Sequence, residues 1–184
     1  MSFIRTQIES AYKKKQLVSI CIDKIVWDKR IIGYIKKIYS SDKFDLDIID
    51  ELGQRTGVKK ISFPSVKSLE IGGLYNDNLK FLDKHGFEIN QSRPKYFSSQ
   101  KNNLYEKLRE LKETATLCTF YFGSEYSFGR VTDISEKEFT INNIGDNGIE
   151  DGTSAYDIAK LTKIRAKSNL ENMIAFLHEY HKRK

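Results

Sequence analysis

The residues of this chain best suited to chemistry are basic and aromatic side chains that interleave along predicted strands. Aromatic rings can stack on unpaired bases while lysine and arginine contact phosphates, so the pattern suits single-stranded nucleic acid. Tyrosine and lysine are also ordinary residues of an exposed strand surface, and this second interpretation stays open. The candidate binding residues are Arg30, Tyr34, Lys36, Lys37, Tyr39, Tyr126 and Arg130.

Alternation along a strand predicts how these side chains divide between its two faces. Between residues 34 and 39, the even-numbered residues are expected on one face and the odd-numbered residues on the other. This division would separate Lys36 from Lys37, and Tyr34 from Tyr39.

Two pairs of residues could support catalysis or metal binding. Asp45 and Asp47 alternate on a predicted strand and could share a site, but an exposed polar strand face is the favoured interpretation. His178 and His181 lie three residues apart on a predicted helix, but a metal needs a further ligand, and a solvated helix end is the simpler interpretation. The sequence therefore predicts no metal, no cofactor and no enzyme, with a small hydrolase as the remote alternative.

The elements that must position these residues are written twice along the chain. Glycines and apolar residues recur at an offset that changes from 96 through 95 to 92 and 93, which predicts one short deletion in the second half. An internal repeat of this kind predicts two units of one architecture. The matched pairs are Gly33 and Gly129, Phe44 and Phe139, Gly53 and Gly148, Gly57 and Gly152, Val66 and Ile158, Leu69 and Leu161, and Ile71 and Ile164.

Each half is predicted to contain a helix, five short strands and a second helix, so the fold class is mainly β with flanking helices (α+β). The expected domains are 1–86 and 103–184, joined by a polar junction at 87–102. Asn76 or Asp77 is expected to cap the helix that ends the first half, because short polar side chains accept hydrogen bonds from the first turn.

Composition limits the class of protein. The chain has 184 residues, a net charge of +6 and 30% charged residues, and no apolar run approaches the length of about 20 residues that crosses a bilayer. No signal peptide is recognised at the N-terminus, so we expect a cytoplasmic protein. Cys21 and Cys118 each fall in a predicted first strand and are expected to be reduced and buried.

The order of elements resembles the Sm-like and SH3-like small-barrel superfamily. The resemblance rests on the glycine in strand two, on the apolar residues of strand three, and on a tight corner between strands four and five at 64–66 and 156–158. It implies two tandem five-stranded small barrels over 17–71 and 116–164. Sm-type RNA binders carry a basic residue followed by glycine at the end of strand four, and neither half has this pair there.

These observations favour a non-catalytic binding protein. Because the positive charge is dispersed and the Sm-type signature is missing, a protein partner is favoured over RNA, as for a small bacterial accessory or immunity-type protein. The alternative is an RNA-binding Sm-like protein in which tandem repeats replace a homodimer. Neither reading requires a membrane or a small-molecule cofactor.

Overall fold

The computed structural model describes residues 2–22, 30–87, 93–98 and 103–183. Within these ranges the chain forms two antiparallel sheets, of five and six strands, together with four α-helices. The predicted class, mainly β with helices, is confirmed at this level. The chain divides into two compact units, Met1–Phe87 and Glu88–Lys184.

The first unit begins and ends with a helix. Its sheet has the order β4-β3-β2-β1-β5, which leaves β4 and β5 at the two edges, and the described residues contain no hydrogen-bonded pairing between these edges. A closed barrel would need that pairing, so the barrel implied by the resemblance stays a prediction. The elements in chain order are α1 (Phe3–Lys14), β1 (Leu17–Cys21), β2 (Arg30–Ile38), β3 (Lys43–Ile49), β4 (Arg55–Ser62), a 3-10 turn (Phe63–Ser65), β5 (Ser68–Ile71) and α2 (Leu74–His85).

Helix α1 covers one side of the first sheet. Its apolar stripe places Ile8 and Ala11 in full burial, while Lys13 and Lys14 put favourable positive charge at the C-terminal end. The helix ends where Lys15 adopts a left-handed conformation. The stripe packs on a core that includes Phe44 and Leu46, both fully buried.

The second unit has the corresponding elements and one additional strand. Its sheet has the order β10-β9-β8-β7-β11-β6. The elements in chain order are β6 (Lys95–Ser98), α3 (Leu104–Glu113), β7 (Cys118–Phe122), β8 (Glu125–Ile134), β9 (Glu138–Ile144), β10 (Glu150–Asp157), a 3-10 turn (Ile158–Lys160), β11 (Lys163–Ala166) and α4 (Asn169–Lys182).

Strand β6 lies inside the segment predicted to be a polar junction. It pairs with β11, and the ring of Phe97 packs against the core of the second unit while Tyr96 remains 56% exposed. Four residues flanked by proline and serine give too short a periodic signal to predict a strand. The strand forms because the free edge of β11 supplies the hydrogen-bonding partner.

The predicted division of side chains between the faces of β2 is wrong. The pairing of β2 with β3 shifts between Ile35 and Lys37, so Lys36 is an extra residue in a β-bulge. Beyond the bulge the alternation is reset, and Ile35 and Ile38 both pack on the core while Lys36 and Lys37 are both exposed. The pairing of β8 with β9 has the same irregularity between Val131 and Asp133.

The deletion in the second half is not where the sequence pattern places it, because the strand register gives offsets of 100 in strand one and 96 in strand two. Val18 pairs with Gly33 and with Ile71, and Cys118 pairs in the same way with Gly129 and Ala166. The offset therefore stays at 95 from strand three onward, and the counterparts of Val66 and Leu69 are Leu161 and Ile164. Because apolar residues recur every three positions in this part of both halves, the sequence pattern could also be matched three residues out of register. The same pairing makes Cys118 the counterpart of Val18 and not of Cys21, although both cysteines are buried as expected.

In each unit, one glycine lies where two neighbouring strands approach closely, and a second lies where a turn approaches the last helix. A Cβ at Gly33 would overlap the backbone oxygen of Asp47, and a Cβ at Gly129 would lie 2.5 Å from the backbone oxygen of Asn142. Gly148, with a φ of +81°, lies against the backbone of α4 as Gly53 lies against α2. These positions require glycine because no side chain fits.

Helix α2 begins earlier than predicted. Its N-cap is Gly73, so Asn76 and Asp77 lie inside the first turns and cap nothing. Asn76 is 3% exposed, and its amide nitrogen donates a hydrogen bond of 2.8 Å to the backbone oxygen of Gly72. Helix α4 runs close to its predicted span and carries Met173, Ile174 and Leu177 on its buried stripe, as expected.

Candidate functional site

A surface groove of about 810 Å³ in the first unit is lined by five exposed lysines. It is formed by the C-terminal end of α1, by β2, β3 and β4, and by α2. Its lining residues are Tyr12, Lys13, Lys15, Tyr34, Ile35, Lys36, Asp47, Arg55, Lys80, Asp83 and Lys84.

The floor of the groove is an ion-pair network centred on Arg55. Its Nε and Nη2 atoms donate hydrogen bonds of 3.1 Å each to the two carboxylate oxygens of Asp83, and its Nη1 contacts the carboxylate of Asp47. The guanidinium carbon lies 5.2 Å from the centroid of the Tyr34 ring, within cation–π range. Hydrogen bonding to Asp83 raises the pKa of Arg55, and burial raises the pKa of Tyr34.

The rim of the groove carries uncompensated positive charge. Arg55 binds both carboxylates of the groove, and this network of one cation and two anions offsets only one of the five positive charges around it. The five rim lysines are exposed, and none is within 4 Å of a carboxylate among the residues that the structure describes. Clustered like charges on a concave surface concentrate anions there. The rim lysines are Lys13, Lys15, Lys36, Lys80 and Lys84.

The second unit lacks this charge at every corresponding position. The register of the paired strands and the left-handed residues that end α1 and α3, Lys15 and Ala115, fix the correspondence. The floor differs as well, because Arg55 and Asp83 correspond to Glu150 and His178. The counterparts of the rim lysines are Glu113, Ala115, Thr132, Ala175 and Glu179.

The structure brings two of the seven predicted binding residues, Tyr34 and Lys36, into this groove. Arg30 instead forms an ion pair with Glu70 and lines a separate groove of about 640 Å³. The predicted cluster on β2 is therefore split, and only its middle part, Tyr34 and Lys36, lines the groove with the lysines.

Lys37 and Tyr39 belong to a different surface of the first unit. The hydroxyl of Tyr39 donates a 2.7 Å hydrogen bond to Asp45, and this hydrogen bond raises the pKa of Tyr39. The ammonium groups of Lys37 and Lys60 each lie 4.7 Å from the centroid of the Tyr39 ring.

The two predicted binding residues of the second unit, Tyr126 and Arg130, lie in different surroundings. Tyr126 is 59% exposed, and its ring lies 5.4 Å from that of Phe128. Arg130 is the counterpart of Tyr34, and its guanidinium lies 3.6 Å from the carboxylate of Glu179.

The groove also contains residues that the sequence interpretation did not select. Lys13 and Lys15 were noted only as favourable charge at the end of a helix, and Lys80 and Lys84 were not singled out. A signal was present, since Lys80 and Lys84 are four residues apart and so share one face of α2. Arg55, the centre of the network, has no local pattern that could have identified it.

The residue pairs considered for catalysis are separated by their partners. Asp47 is bound to Arg55 and Asp45 to Tyr39, so the two carboxylates do not share a site. His178 is 2% exposed, which makes the expectation of a solvated helix end wrong for this residue. Its Nδ1 donates a 3.0 Å hydrogen bond to the backbone oxygen of Gly148, because Gly148 brings the β9–β10 turn against α4. The described residues hold no cluster of three metal-ligating side chains.

No helix among the described residues combines the length and the apolar character needed to span a bilayer. No protein-family model matches the sequence. The chain is similar to a protein named Glutamate--tRNA ligase 2 from Caldicellulosiruptor saccharolyticus, with 26% identity over 127 residues. The matched region covers 65% of this chain and 26% of that ligase, so the chain spans about a quarter of the relative's length.

Proposed function

We propose that this protein is a non-catalytic, cytoplasmic RNA-binding protein whose first unit holds single-stranded RNA in the lysine-rimmed groove. The carrying observation is that five exposed lysines surround the groove while its two carboxylates are both bound by Arg55. A phosphate backbone is the polyanion that fits such a surface, because each lysine can replace a counterion on one phosphate.

The floor of the groove supports a single strand over a duplex. Tyr12 is 42% exposed and Tyr34 also lines the groove, so unpaired bases would find aromatic rings in the same groove as the phosphate-binding lysines. A basic groove with aromatic side chains is the general arrangement for binding single strands. Bases in a duplex are stacked on one another and offer no ring face.

The comparison with the ligase supports RNA as the ligand class. The name of that protein assigns it a tRNA substrate, and this chain resembles a quarter of it. A protein partner, which the dispersed charge of the sequence favoured, is the competing occupant, and in this groove it would have to present an acidic segment. The groove concentrates that charge, which moves the preference to RNA.

The architecture that carries the groove is proposed to be a duplicated small barrel of the Sm-like and SH3-like type. In the first sheet β1 lies between β2 and β5, and in the second sheet β7 lies in the same way between β8 and β11. A 3-10 turn precedes β5 in the first unit and β11 in the second. The close-approach glycines recur in both units. Duplication followed by divergence explains why the backbone features repeat while the rim lysines do not.

The proposal is tested by measuring fluorescence anisotropy of a labelled single-stranded RNA against salt. With four or five phosphate contacts, the slope of log affinity against log salt should be about −3, so affinity should fall roughly 100-fold between about 50 and 200 mM salt. The variant Lys13→Glu, Lys36→Thr, Lys80→Ala, Lys84→Glu installs the residues that the second unit carries at these positions. It should reduce affinity at least about 100-fold and flatten the salt dependence.

A charge-matched control removes exposed lysines outside the groove. Lys43→Glu, Lys137→Glu and Lys160→Glu together change the net charge by the same amount as the groove variant. The control should bind RNA within about threefold of the unchanged protein, because its lysines lie outside the groove. Equal losses in both variants, or tighter binding of a polyglutamate peptide than of RNA, would overturn the proposal.

A further inference from the structure

The second unit carries an aromatic and cationic surface on the face of its sheet that points away from the core. Along β6, β7 and β11 the residues Phe97, Phe120 and Ile164 face the core, so their immediate neighbours in sequence lie on the opposite face. We call this surface the tyrosine face. It consists of Tyr96, Tyr121, Tyr126, Phe128 and Lys163.

Strand register aligns the tyrosine face into a continuous row. Lys163 on β11 pairs with Tyr121 on β7, and Tyr121 pairs with Tyr126 on β8. The rings of Tyr121 and Tyr126 lie 6.1 Å apart between centroids, and those of Tyr126 and Phe128 lie 5.4 Å apart. Directly opposed side chains on one face of a sheet contact each other in this way.

The tyrosine face exposes aromatic rings to solvent and carries a lysine that is not in an ion pair within the described ranges. Tyr96 is 56% exposed and Tyr126 is 59% exposed, so each offers a ring face to solvent. The ammonium of Lys163 lies 4.0 Å from the centroid of Tyr121 and 5.6 Å from that of Tyr96, and no carboxylate in the described part of the chain lies within 4 Å of it. The row therefore places one unpaired cation between two tyrosines.

The tyrosine face has no equivalent in the first unit. The pair Cys21 and Arg30 occupies the register position of Tyr121 and Tyr126, and Ser68 occupies that of Lys163. The strand β6, which supplies Tyr96, has no counterpart among the described residues of the first unit. Among the described residues, the aromatic row is thus confined to the second unit, as the lysine rim is to the first.

We propose that the tyrosine face is a platform on which unpaired bases of a single-stranded nucleic acid stack. Tyr96 and Tyr126 provide the exposed rings, and Lys163 neutralises a phosphate of the strand that crosses between them. Stacking on aromatic side chains tolerates every base because each base has a π-face. The platform goes beyond the groove, since it recognises bases and needs none of the groove's lysines.

The test compares a single-stranded RNA with an abasic strand of the same length and charge, by anisotropy at about 200 mM salt, where phosphate contacts are weakened. The unchanged protein should bind the strand with bases about 10- to 100-fold more tightly. Tyr126→Ala and Tyr96→Ala should each remove most of this preference, and Tyr126→Phe should keep it. Lys163→Ala should weaken binding of both strands equally, because it removes a phosphate contact.

Two comparisons keep this result separate from the groove. Phe3→Ala removes an aromatic ring that is 77% exposed in the first unit and should leave the preference for bases unchanged. The groove variant should lose affinity for both strands while keeping their ratio; if it binds normally, the groove proposal fails and the platform stands. Equal affinity of the unchanged protein for both strands, or a preference that survives Tyr126→Ala, would overturn the platform.

Discussion

The close approach of β8 and β9 makes Gly129→Ala the most informative stability measurement on this fold. A Cβ at this position would lie 2.5 Å from the backbone oxygen of Asn142 and 3.1 Å from Cδ1 of Ile141. Ordinary contact begins near 3.4 Å, so the strands would have to separate by nearly an ångström. The obstacle is backbone, which cannot rotate away as a side chain could.

The cost follows from what that separation breaks. Overpacking a tight site costs about 1–3 kcal/mol, and two ladder hydrogen bonds stretched beyond bonding distance add about 1 kcal/mol each. We therefore expect Gly129→Ala to lower the free energy of unfolding by about 3 kcal/mol or more, a large share of the roughly 5–15 kcal/mol that stabilises a domain. Gly33→Ala should be at least as costly, since its Cβ would lie closer to the opposing strand.

Urea denaturation followed by circular dichroism measures the loss, and Gly123→Ala in the same unit is the matched control. Gly123 has a φ of +71° and nothing within 4 Å of an added Cβ, so its substitution costs only the unfavourable backbone conformation, about 1–2 kcal/mol. If Gly129→Ala costs no more than Gly123→Ala, the strands do not approach as described, and the structural reason for the repeated glycine is wrong.

Two further predictions concern buried polar groups of the second unit. Glu171 is 1% exposed and accepts a 2.7 Å hydrogen bond from Nε of Arg165, so Glu171→Ala should lower the free energy of unfolding in urea by about 3–5 kcal/mol. Glu179→Ala, at an exposed ion pair, is the control and should cost about 1 kcal/mol or less. Equal losses would contradict the buried network. Burial raises the pKa of the Cys118 thiol to about 12, so the folded state holds this proton more tightly than the unfolded state and stability should fall as pH rises from about 9 toward 12. Urea midpoints at about pH 8 and about pH 10.5 measure this fall, which Cys118→Val should reduce and which an unreduced fall would contradict.

Much of the fold follows from local pattern. The stripe of Met173, Ile174 and Leu177 predicts α4, and the alternation of Phe44 and Leu46 with two aspartates predicts a half-buried strand, because each repeats with the period of its element. Asn76 was misassigned as a cap since its side chain suits that role locally, while tertiary packing buried it and gave the cap to Gly73. Strand β6 was missed because its partner is distant in sequence.

The candidate sites depend on contacts that sequence spacing cannot provide. The bulge at Lys36 leaves both Lys36 and Lys37 exposed, although a regular strand after the buried Ile35 would have turned Lys37 toward the core. Tyr126 and Lys163 belong to one surface only because β7 lies between their strands. Register across a sheet is decided by the turns and the core together, and neither is visible in a single strand.

The sequence by itself determined that the chain is mainly β and that several glycines recur in its two halves. It also determined which side chains are available for binding, namely lysines and tyrosines, and it contains no recognisable catalytic motif. Only the tertiary structure decided where that chemistry collects. The rim lysines come from two helices and one strand, and the tyrosine face comes from four strands. Residues that are distant along the chain meet because burying apolar surface fixes the packing, and the polar side chains are carried to wherever that packing leaves them.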